Sequence, residues 1–364
     1  MDMFLITAPG QEDFLAAEAR EKGFKVTETI SGGVTIRGEW PDIWRANLQL
    51  RGATRVLARL VTFRALYLSQ LELNTREFDW PKILPKYATV TVEATCHKSK
   101  IYHAGAAKER VETALAGHGF VTPEPEYPAD VAIRVRIDRD HVTLSLDTSG
   151  DSLHKRGHKE AVNKAPMRET MAAMFLREAK FNGKAPLYDP MCGSGTFVIE
   201  AAEIARRLDP GRSREFAFQS FPNYDAQAFA TMGSPDRPAA HGVYGSDRDQ
   251  GAVAMSTANA TRAGVADVAT FDAKSIGDIT PPTDTPGLVI CNPPYGARIG
   301  NKTPLYGLYS SFGDRMKSHF KGWRAAIVTS DDALAKATGL PFKPAGPVVN
   351  HGGTKVRLWQ TDVI

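Results

Sequence analysis

Four consecutive residues, Asn292, Pro293, Pro294 and Tyr295, have the side-chain types needed to hold a planar nitrogen base. The two prolines fix the backbone and remove two N–H donors, so the Pro293 carbonyl is held in place as an acceptor. The Asn292 side-chain oxygen supplies a second acceptor, and Tyr295 offers a flat face on which a base can stack. Two acceptors above an aromatic ring suit an exocyclic amine, whose hydrogens they bind and whose lone pair they aim at an electrophile. A purely structural Pro-Pro turn is the alternative.

A glycine-rich turn, residues 189–196, follows a short apolar strand and precedes a helix with apolar residues at helical spacing. Gly193 and Gly195 let the backbone approach a ligand closely. No lysine follows the glycines and the G-x-G-x-x-G spacing is absent, so the turn matches neither familiar phosphate-binding loop. Asp189 at the strand end would repel a pyrophosphate but can pair with the amino group of a zwitterionic, sulfonium-bearing ligand. The alternative is a helix-capping Asp in an ordinary tight turn.

Two later strands also end in acidic residues. Asp247 is suited to accept hydrogen bonds from both hydroxyls of a ribose. Asp272 can accept from an adenine amino group, with Phe271 or Ala273 against the ring. Each carboxylate can instead do no more than cap its own loop. With Asp189, they predict a nucleoside-bearing cation at the carboxyl ends of these strands.

The two ligands together indicate transfer of a methyl group from a sulfonium to a neutral amine. This is an in-line displacement, so catalysis consists mainly of alignment and electrostatic preorganisation. It needs neither a nucleophilic side chain nor a metal. Cys192 and Cys291 flank the site, but neither has a His or Lys neighbour that would lower its pKa, and both are interpreted as packing residues.

Short buried strands alternate with helices through the second half of the chain, which predicts a parallel sheet covered on both faces. These strands are expected at residues 187–188, 243–245, 269–271, 288–290 and 325–329. A hairpin within residues 348–360 then adds a final antiparallel strand. The expected fold class is α/β, a Rossmann-like doubly wound domain. Residues 209–241 are inserted between a helix and a strand, and the sequence assigns them no role.

The first 150 residues predict smaller α+β units. Residues 131–137 alternate apolar side chains with Arg134 and Arg136 and return through residues 142–146, the pattern of a hairpin with one buried face. Residues 151–166 are too polar and basic for a core element and are interpreted as a connector. Residues 45–168 contain 20 Lys and Arg against 14 Asp and Glu, while the rest of the chain contains 25 against 27. The basic excess therefore lies in one segment that can meet phosphates.

The bulk composition is that of a soluble globular protein: 364 residues, 42% hydrophobic and 24% charged, enough for two or three domains. The N-terminus is typical of a strand rather than a signal peptide. No run approaches the roughly 18 apolar residues of a membrane helix. The three cysteines are far apart and lack C-x-x-C spacing, which argues against disulfides or structural zinc and favours a reducing cytoplasm.

The chain resembles the THUMP-domain-containing RNA methyltransferases, especially the bacterial 23S ribosomal RNA guanine-N2 enzymes and their transfer-RNA relatives. The residues that carry the resemblance are 98–103, 152–157, 165–170 and the two segments 189–196 and 292–295. The resemblance implies a ferredoxin-like unit at residues 1–44, a THUMP-type RNA-binding domain at 45–150, a basic connector at 151–166 and a class I methyltransferase domain at 167–364. Its implied cofactor is S-adenosylmethionine, and its implied partner is structured RNA.

The resemblance also implies roles for individual residues. The methyl donor would contact Asp189, Cys192, Gly193, Ser194, Gly195, Thr196, Asp247, Asp272 and Ala273. The target base would contact Asn292, Pro293, Pro294 and Tyr295. The candidates for RNA contact are Lys98, Lys100, Arg134, Arg136, Lys155, Arg156 and Lys159, each of which can instead be a plain surface charge.

The implied activity is methylation of an exocyclic amine in structured RNA, with guanine N2 as the expected acceptor. One alternative is methylation of adenine N6 in DNA, which the Asn-Pro-Pro-Tyr segment serves equally well. The other is an RNA-binding or assembly factor with an inactive methyltransferase domain. The sequence does not predict the RNA, the nucleotide, the number of methyl groups or the oligomeric state.

Overall fold

The computed structural model describes residues 1–124, 126–160, 167–295 and 303–364, which form two seven-stranded sheets. Residues 161–166, the last part of the predicted connector, lie outside the described residues. The two sheets follow each other along the chain, and each has a hydrophobic core of its own.

The first sheet takes its strands from residues 1–150. They are β1 (Asp2–Ile6), β2 (Lys25–Ile30), β3 (Gly33–Arg37), β4 (Arg55–Arg64), β5 (Val90–His97), β6 (Val131–Asp138) and β7 (His141–Asp147). Its described helices are α1 (Glu12–Glu21), α2 (Trp40–Gln49), α3 (Leu68–Glu77) and α4 (Ala104–Ala116). The strand order is β2-β3-β1-β4-β7-β6-β5, in which only β5 and β6 are parallel neighbours.

The β6–β7 hairpin confirms the alternating pattern of its sequence. In β6, Val131, Ile133, Val135 and Ile137 are buried, whereas Arg136 between the last two is exposed. The turn residues Arg139 and Asp140 have φ angles of 51° and 65°. Two successive positive φ angles are typical of a type I′ turn, whose twist matches that of the flanking strands.

The predicted boundary between residues 44 and 45 is not a structural break. It falls within α2, and the sheet continues across it because β4 pairs with both β1 and β7. Apolar side chains from both sides of this point form one core cluster. The sequence pattern missed the continuity because β4 and β7 pair across a separation of about eighty residues.

The second sheet takes its strands from the second half of the chain. They are β8 (Leu187–Asp189), β9 (Val243–Asp247), β10 (Ala269–Ala273), β11 (Leu288–Cys291), β12 (Arg324–Thr329), β13 (Val349–His351) and β14 (Thr354–Val363). Its described helices are α5 (Glu169–Glu178), α6 (Thr196–Arg206), α7 (Ala226–Ala230), α8 (Gln250–Arg262), α9 (Thr303–His319) and α10 (Asp332–Ala337).

The strand order of this sheet, β10-β9-β8-β11-β12-β14-β13, confirms the predicted doubly wound architecture. The neighbours from β10 to β12 are parallel, and β14 is antiparallel to both β12 and β13. The order reverses between β8 and β11. In sheets of this kind the crevice at the carboxyl ends of the two strands flanking such a reversal is the usual ligand site.

The insertion at residues 209–241 packs against the N-terminal core. Phe218 is fully buried and stacks on Trp44 of α2 with ring centroids 6.3 Å apart, and Tyr224 meets the same indole edge-on at 5.5 Å. Phe216 also lies in this core, and the Phe218 N–H donates to the Thr148 carbonyl. The insertion thus joins the two halves of the protein, a role that only its long-range contacts reveal.

A network of buried charges joins the same two halves. The Arg51 guanidinium, just after α2, lies 3.0 Å from Glu200 and 2.9 Å from Glu203 of α6. Arg156 of the connector lies 3.0 Å from the other Glu200 oxygen and donates to the Arg51 carbonyl. Burial opposes ionisation of Glu203, but Arg51, Arg212 and His158 hold its pKa below the usual range. The acids and their cations therefore depend on one another for their charge.

Replacing Glu200 with alanine tests this network. Because Glu200→Ala leaves two buried guanidinium groups short of a partner, it should lower the free energy of unfolding by about 3–5 kcal/mol. The measurement is the midpoint of denaturant unfolding at an unchanged slope. Asp314→Ala is the matched control, since it breaks an exposed pair with Lys317 on α9 and should leave the midpoint nearly unchanged. Equal shifts in the two variants would contradict the assignment.

Candidate active site

The glycine turn connects β8 to α6 in a backbone conformation that favours glycine. Gly193 and Gly195 have φ angles of 54° and 84°, and the Gly195 N–H donates to the Cys192 carbonyl at 2.8 Å. Gly195 is the residue before α6, which begins at Thr196. The first N–H groups of a helix lack intrahelical partners, so this end of α6 faces the turn with free donors and a partial positive charge.

Neighbouring elements hold the turn from two sides. The Ser256 hydroxyl and the Asn259 amide, both on α8, donate to the Gly193 and Ser194 carbonyls at 2.7 and 3.1 Å. The Cys192 N–H donates to the Ser246 carbonyl of β9 at 3.0 Å. Sequence reasoning missed Ser246, Ser256 and Asn259. The signal for the last two was their i, i+3 spacing on a helix that is otherwise rich in alanine.

Asp189 lies at the end of β8 and is almost completely buried. Its carboxylate accepts from the Met191 N–H at 3.1 Å. Among the described residues, no cationic side chain forms an ion pair with it, and burial together with the nearby Asp247 raises its pKa well above the usual range. A buried acid of this kind fits a cationic ligand, which would favour its ionised form.

Asp247 ends β9 and is tied to the glycine turn. One carboxylate oxygen accepts from the Gly193 N–H at 3.1 Å and the other from the Asp249 N–H at 3.0 Å. Each oxygen keeps a further lone pair, which suits the two hydroxyls of a ribose. Asp272 and Ala273 at the end of β10 are exposed, and Asp272 pairs with Lys274 at 3.2 Å.

The Asn-Pro-Pro-Tyr segment follows β11, on the other side of the strand reversal. The Asn292 side-chain oxygen is buried, and no donor within the described part of the chain reaches it. Pro293 is buried and Pro294 exposed. The Pro294 carbonyl accepts from the Tyr309 hydroxyl of α9 at 3.3 Å. The expected acceptor role of the Pro293 carbonyl stays a prediction.

Tyr295 is half-buried and packs against the cores on both faces of the sheet. Its hydroxyl lies 3.0 Å from His351 Nδ1, and burial raises the pKa of Tyr295 to about 12. Sequence reasoning missed both His351 and Tyr309 as neighbours of this segment. They come from the terminal hairpin and from α9, and no local pattern connects either one to Tyr295.

The cysteines lack the properties of nucleophiles. Burial raises the pKa of both the Cys192 and Cys291 thiols, so both stay protonated near neutral pH. Within the described ranges, no group of three His, Cys, Asp or Glu side chains could hold a metal ion, and no helix is long and apolar enough to cross a membrane.

The basic residues predicted for RNA contact differ in exposure. Lys98, Lys100, Arg136 and Lys155 are exposed, the last two paired with Asp138 and Asp151 at 3.0 Å. Arg134 is partly covered and pairs with Glu93, with Asp147 3.5 Å away.

The interpretation of Arg156 and Lys159 as surface contacts is wrong. Arg156 is 1% exposed and belongs to the buried charge network. The Lys159 side chain is buried too, where its ammonium donates to the Thr196 hydroxyl at 2.7 Å and pairs with Glu169 at 3.0 Å. Lys159 therefore holds the start of α6 in place, and neither side chain is available to a phosphate on the surface.

The doubly wound sheet, the acidic glycine turn and the Asn-Pro-Pro-Tyr segment at its strand reversal define a class I methyltransferase domain. The chain belongs to the RMKL-like methyltransferase domain family, whose model matches residues 156–346. Residues 2–57 match the RlmL ferredoxin-like domain. The predicted resemblance and fold class are confirmed.

Relatives are similar along the whole chain. A Synechocystis sp. protein provisionally named an RNA methyltransferase is 32% identical, over 98% of this chain and 95% of its own length. The ribosomal RNA large subunit methyltransferase K/L of Syntrophotalea carbinolica is 34% identical over 99% of this chain. The chain spans about half of that relative, since the match covers 53% of it.

Solved structures support the same class of protein. SMU.472, provisionally named a methyltransferase and crystallised with SAH, has a TM-score of 0.87 and 27% identity, and the match covers 100% of this chain and 98% of that one. The protein is therefore a methyltransferase with S-adenosylmethionine as its methyl donor. The buried Asp189, the Asp247 carboxylate and the open start of α6 fit the amino group, ribose and carboxylate of this donor.

The pH dependence of donor binding tests Asp189. Because its raised pKa makes the Asp189 carboxyl easier to protonate than an ordinary aspartate, affinity for the cationic donor should fall as the pH is lowered, and the fall should begin at a higher pH than an ordinary carboxyl would give. Asp189→Asn should lower the affinity about 10- to 100-fold at pH 8 and flatten the profile. Calorimetry with S-adenosylmethionine measures both, with Asp284→Asn as an exposed control. An Asn variant that keeps the wild-type profile would contradict this role.

Proposed function

We propose that the protein methylates an exocyclic amine in structured RNA, namely N2 of a guanine in ribosomal or transfer RNA. The observation that carries this proposal is the Asn292 side-chain oxygen, which is buried and has no donor among the described residues. An unpaired buried acceptor costs about 1–3 kcal/mol. A bound amino group would remove that cost by donating one of its hydrogens to this oxygen.

The two ligand groups would meet at one place. Asp189 ends β8 and Asn292 follows β11, and these strands are parallel neighbours at the reversal of strand order. Adjacent strands lie about 4.8 Å apart. A donor held at Asp189 and an amine held at Asn292 would therefore share one crevice.

The residues of the crevice bind and orient rather than react. Bound S-adenosylmethionine supplies an electrophilic methyl group. Asn292 would hold the amine so that its lone pair points into the crevice. The Tyr309 hydroxyl fixes the loop through the Pro294 carbonyl, and the Tyr295 ring would support the plane of the base. Holding the amine in one orientation is the main contribution that such a displacement requires.

The proposal of RNA as substrate draws support from the relatives, whose names specify RNA or ribosomal RNA. An exposed surface of the first sheet adds to it. Lys98 and Lys100 follow β5, and Arg136 lies near the same end of the parallel neighbour β6. Tyr102 beside them is 82% exposed. Cations next to an exposed aromatic ring suit phosphates and an unpaired base.

Asn292→Ala tests the amine assignment. Loss of the acceptor should lower the rate of methyl transfer about 100-fold or more, while calorimetric affinity for the donor stays nearly unchanged. Asn74→Ala, at a half-buried position of α3 where the side-chain amide donates to the Gln70 carbonyl of the same helix, should methylate at the wild-type rate. An Asn292→Ala enzyme with normal turnover would overturn the assignment.

The substrate class is tested in the same assay. Labelled donor should transfer its methyl group to total RNA and not to genomic DNA, with mass spectrometry identifying N2-methylguanosine in the digest. Label only in DNA would favour the alternative of adenine methylation. Failure to bind the donor would favour an inactive assembly factor.

Charge reversal at Lys98 and Lys100 tests the RNA surface. The paired change to glutamate should weaken RNA binding and make its salt dependence shallower, because two phosphate contacts are lost. The control reverses Lys82 and Lys86, which lie before β5 at the opposite end of the strand. Fluorescence anisotropy over a range of salt concentrations measures both slopes. Equal losses in the two double variants would contradict a localised surface.

A further inference from the structure

The Tyr295 hydroxyl has a partner far from the Asn-Pro-Pro-Tyr segment. It lies 3.0 Å from Nδ1 of His351, which ends β13 and is 56 residues away in the chain. The turn that follows consists of Gly352 and Gly353, both at positive φ. This tight turn leads directly into β14. His351 is therefore part of the β13–β14 hairpin, and a shift of the hairpin would move it.

The burial of Tyr295 keeps its hydroxyl neutral and able to form this hydrogen bond. Burial raises the pKa of its phenol to about 12, so near neutral pH the hydroxyl keeps its proton. A phenol that keeps its proton can donate to an unprotonated Nδ1 or accept from an Nδ1–H, so the bond forms with either tautomer of His351. The hydrogen bond holds the Tyr295 ring at its hydroxyl end. Together with the packing of the side chain, it fixes the orientation of the ring.

The N-terminal unit lies directly against the segment that leads into the hairpin containing His351. Gly10 lies in the loop between β1 and α1 with φ at +97°, and a methyl group placed on it would lie 2.3 Å from the Val348 carbonyl oxygen. The same loop is fastened to the second half of the chain, since the Gln11 amide donates to the Met171 carbonyl at 3.4 Å. Val349, the first residue of β13, is fully buried.

We propose that His351 is a positioning residue that orients the Tyr295 ring for the target base, and that the N-terminal unit sets its position through the contact of Gly10 with Val348. The inference rests on the role proposed above for Tyr295. It adds a connection between the first sheet and the methyl-transfer site that does not pass through the methyl donor.

A double-mutant cycle tests the pair. His351→Ala and Tyr295→Phe each remove one partner and should each lower kcat for RNA methylation about 3- to 10-fold, the effect of one neutral hydrogen bond. The KM for the donor and the melting temperature should stay nearly unchanged. Because both variants remove the same bond, the double variant should be no slower than either single one. His351→Asn, whose side-chain amide can accept or donate in place of Nδ1, should recover most of the rate.

The N-terminal contact has a matched pair of variants. Gly10→Ala and Gly23→Ala both place alanine at a positive φ, but only the Gly10 change forces an atom against the hairpin, because Gly23 has no neighbour within 4 Å. Gly10→Ala should lower kcat, as His351→Ala does, and Gly23→Ala should leave kcat unchanged. Equal kcat values in the two glycine variants would overturn the connection.

The remaining outcomes separate the two proposals. If the wild type methylates RNA and Asn292→Ala does not, the proposed function stands. Against that background, a normal kcat in His351→Ala, or losses that multiply in the double variant, would overturn the role of His351. Absence of RNA methylation in the wild type would instead overturn the proposed function.

Discussion

The methyl-transfer site depends on the buried ion pairs that Glu200 and Glu203 form with Arg51 and Arg156. Bringing four charges out of water is costly, and their mutual attraction offsets that cost only in close, hydrogen-bonded geometry. Glu200 lies one helical turn after Thr196, at the start of α6. The network therefore fixes the helix whose first residues complete the glycine turn. Helix α6 therefore carries both the buried acids of the network and the residues that follow the glycine turn. A shift of the network would also move the ligand site.

The same network holds the two halves of the chain together by direct contacts between them. Arg51 belongs to the first half, the acids belong to α6, and the Arg156 guanidinium of the connector donates to the Arg51 carbonyl. Residues 209–241 add an aromatic contact from the second half to Trp44. With the Gly10 contact at β13, the first sheet touches the methyltransferase domain on several sides. Its exposed basic end is thereby held in a fixed position relative to the crevice.

Local patterns in the sequence correctly predicted the elements that depend on interactions between residues close together in the chain. The alternation in β6, the strand-helix order of the second sheet and the glycines of the 193–195 turn each follow from period or φ requirements. Arg156 and Lys159 were misassigned because a basic segment is normally a solvated face. Their burial is possible only because Glu200 and Glu169 meet them, and Glu200 is 44 residues from Arg156. The burial of Arg156 therefore depends on a distant partner, which no local window of the sequence contains.

The two sides of the crevice differ in how completely the protein satisfies its own polar groups. The Tyr295 hydroxyl, the Pro294 carbonyl and both oxygens of Asp247 have partners within the described chain. The Asn292 oxygen has none there, and Asp189 has a single backbone donor and no paired cation. The Tyr295 hydroxyl and the Pro294 carbonyl therefore already have partners, and each Asp247 oxygen keeps a lone pair for a ribose hydroxyl. Asn292 and Asp189, the side chains proposed to meet the amine and the methyl donor, still lack a hydrogen-bond donor and a positive charge, respectively. Sequence identifies both side chains, but only the fold shows that the described residues offer Asn292 no donor and Asp189 no cation.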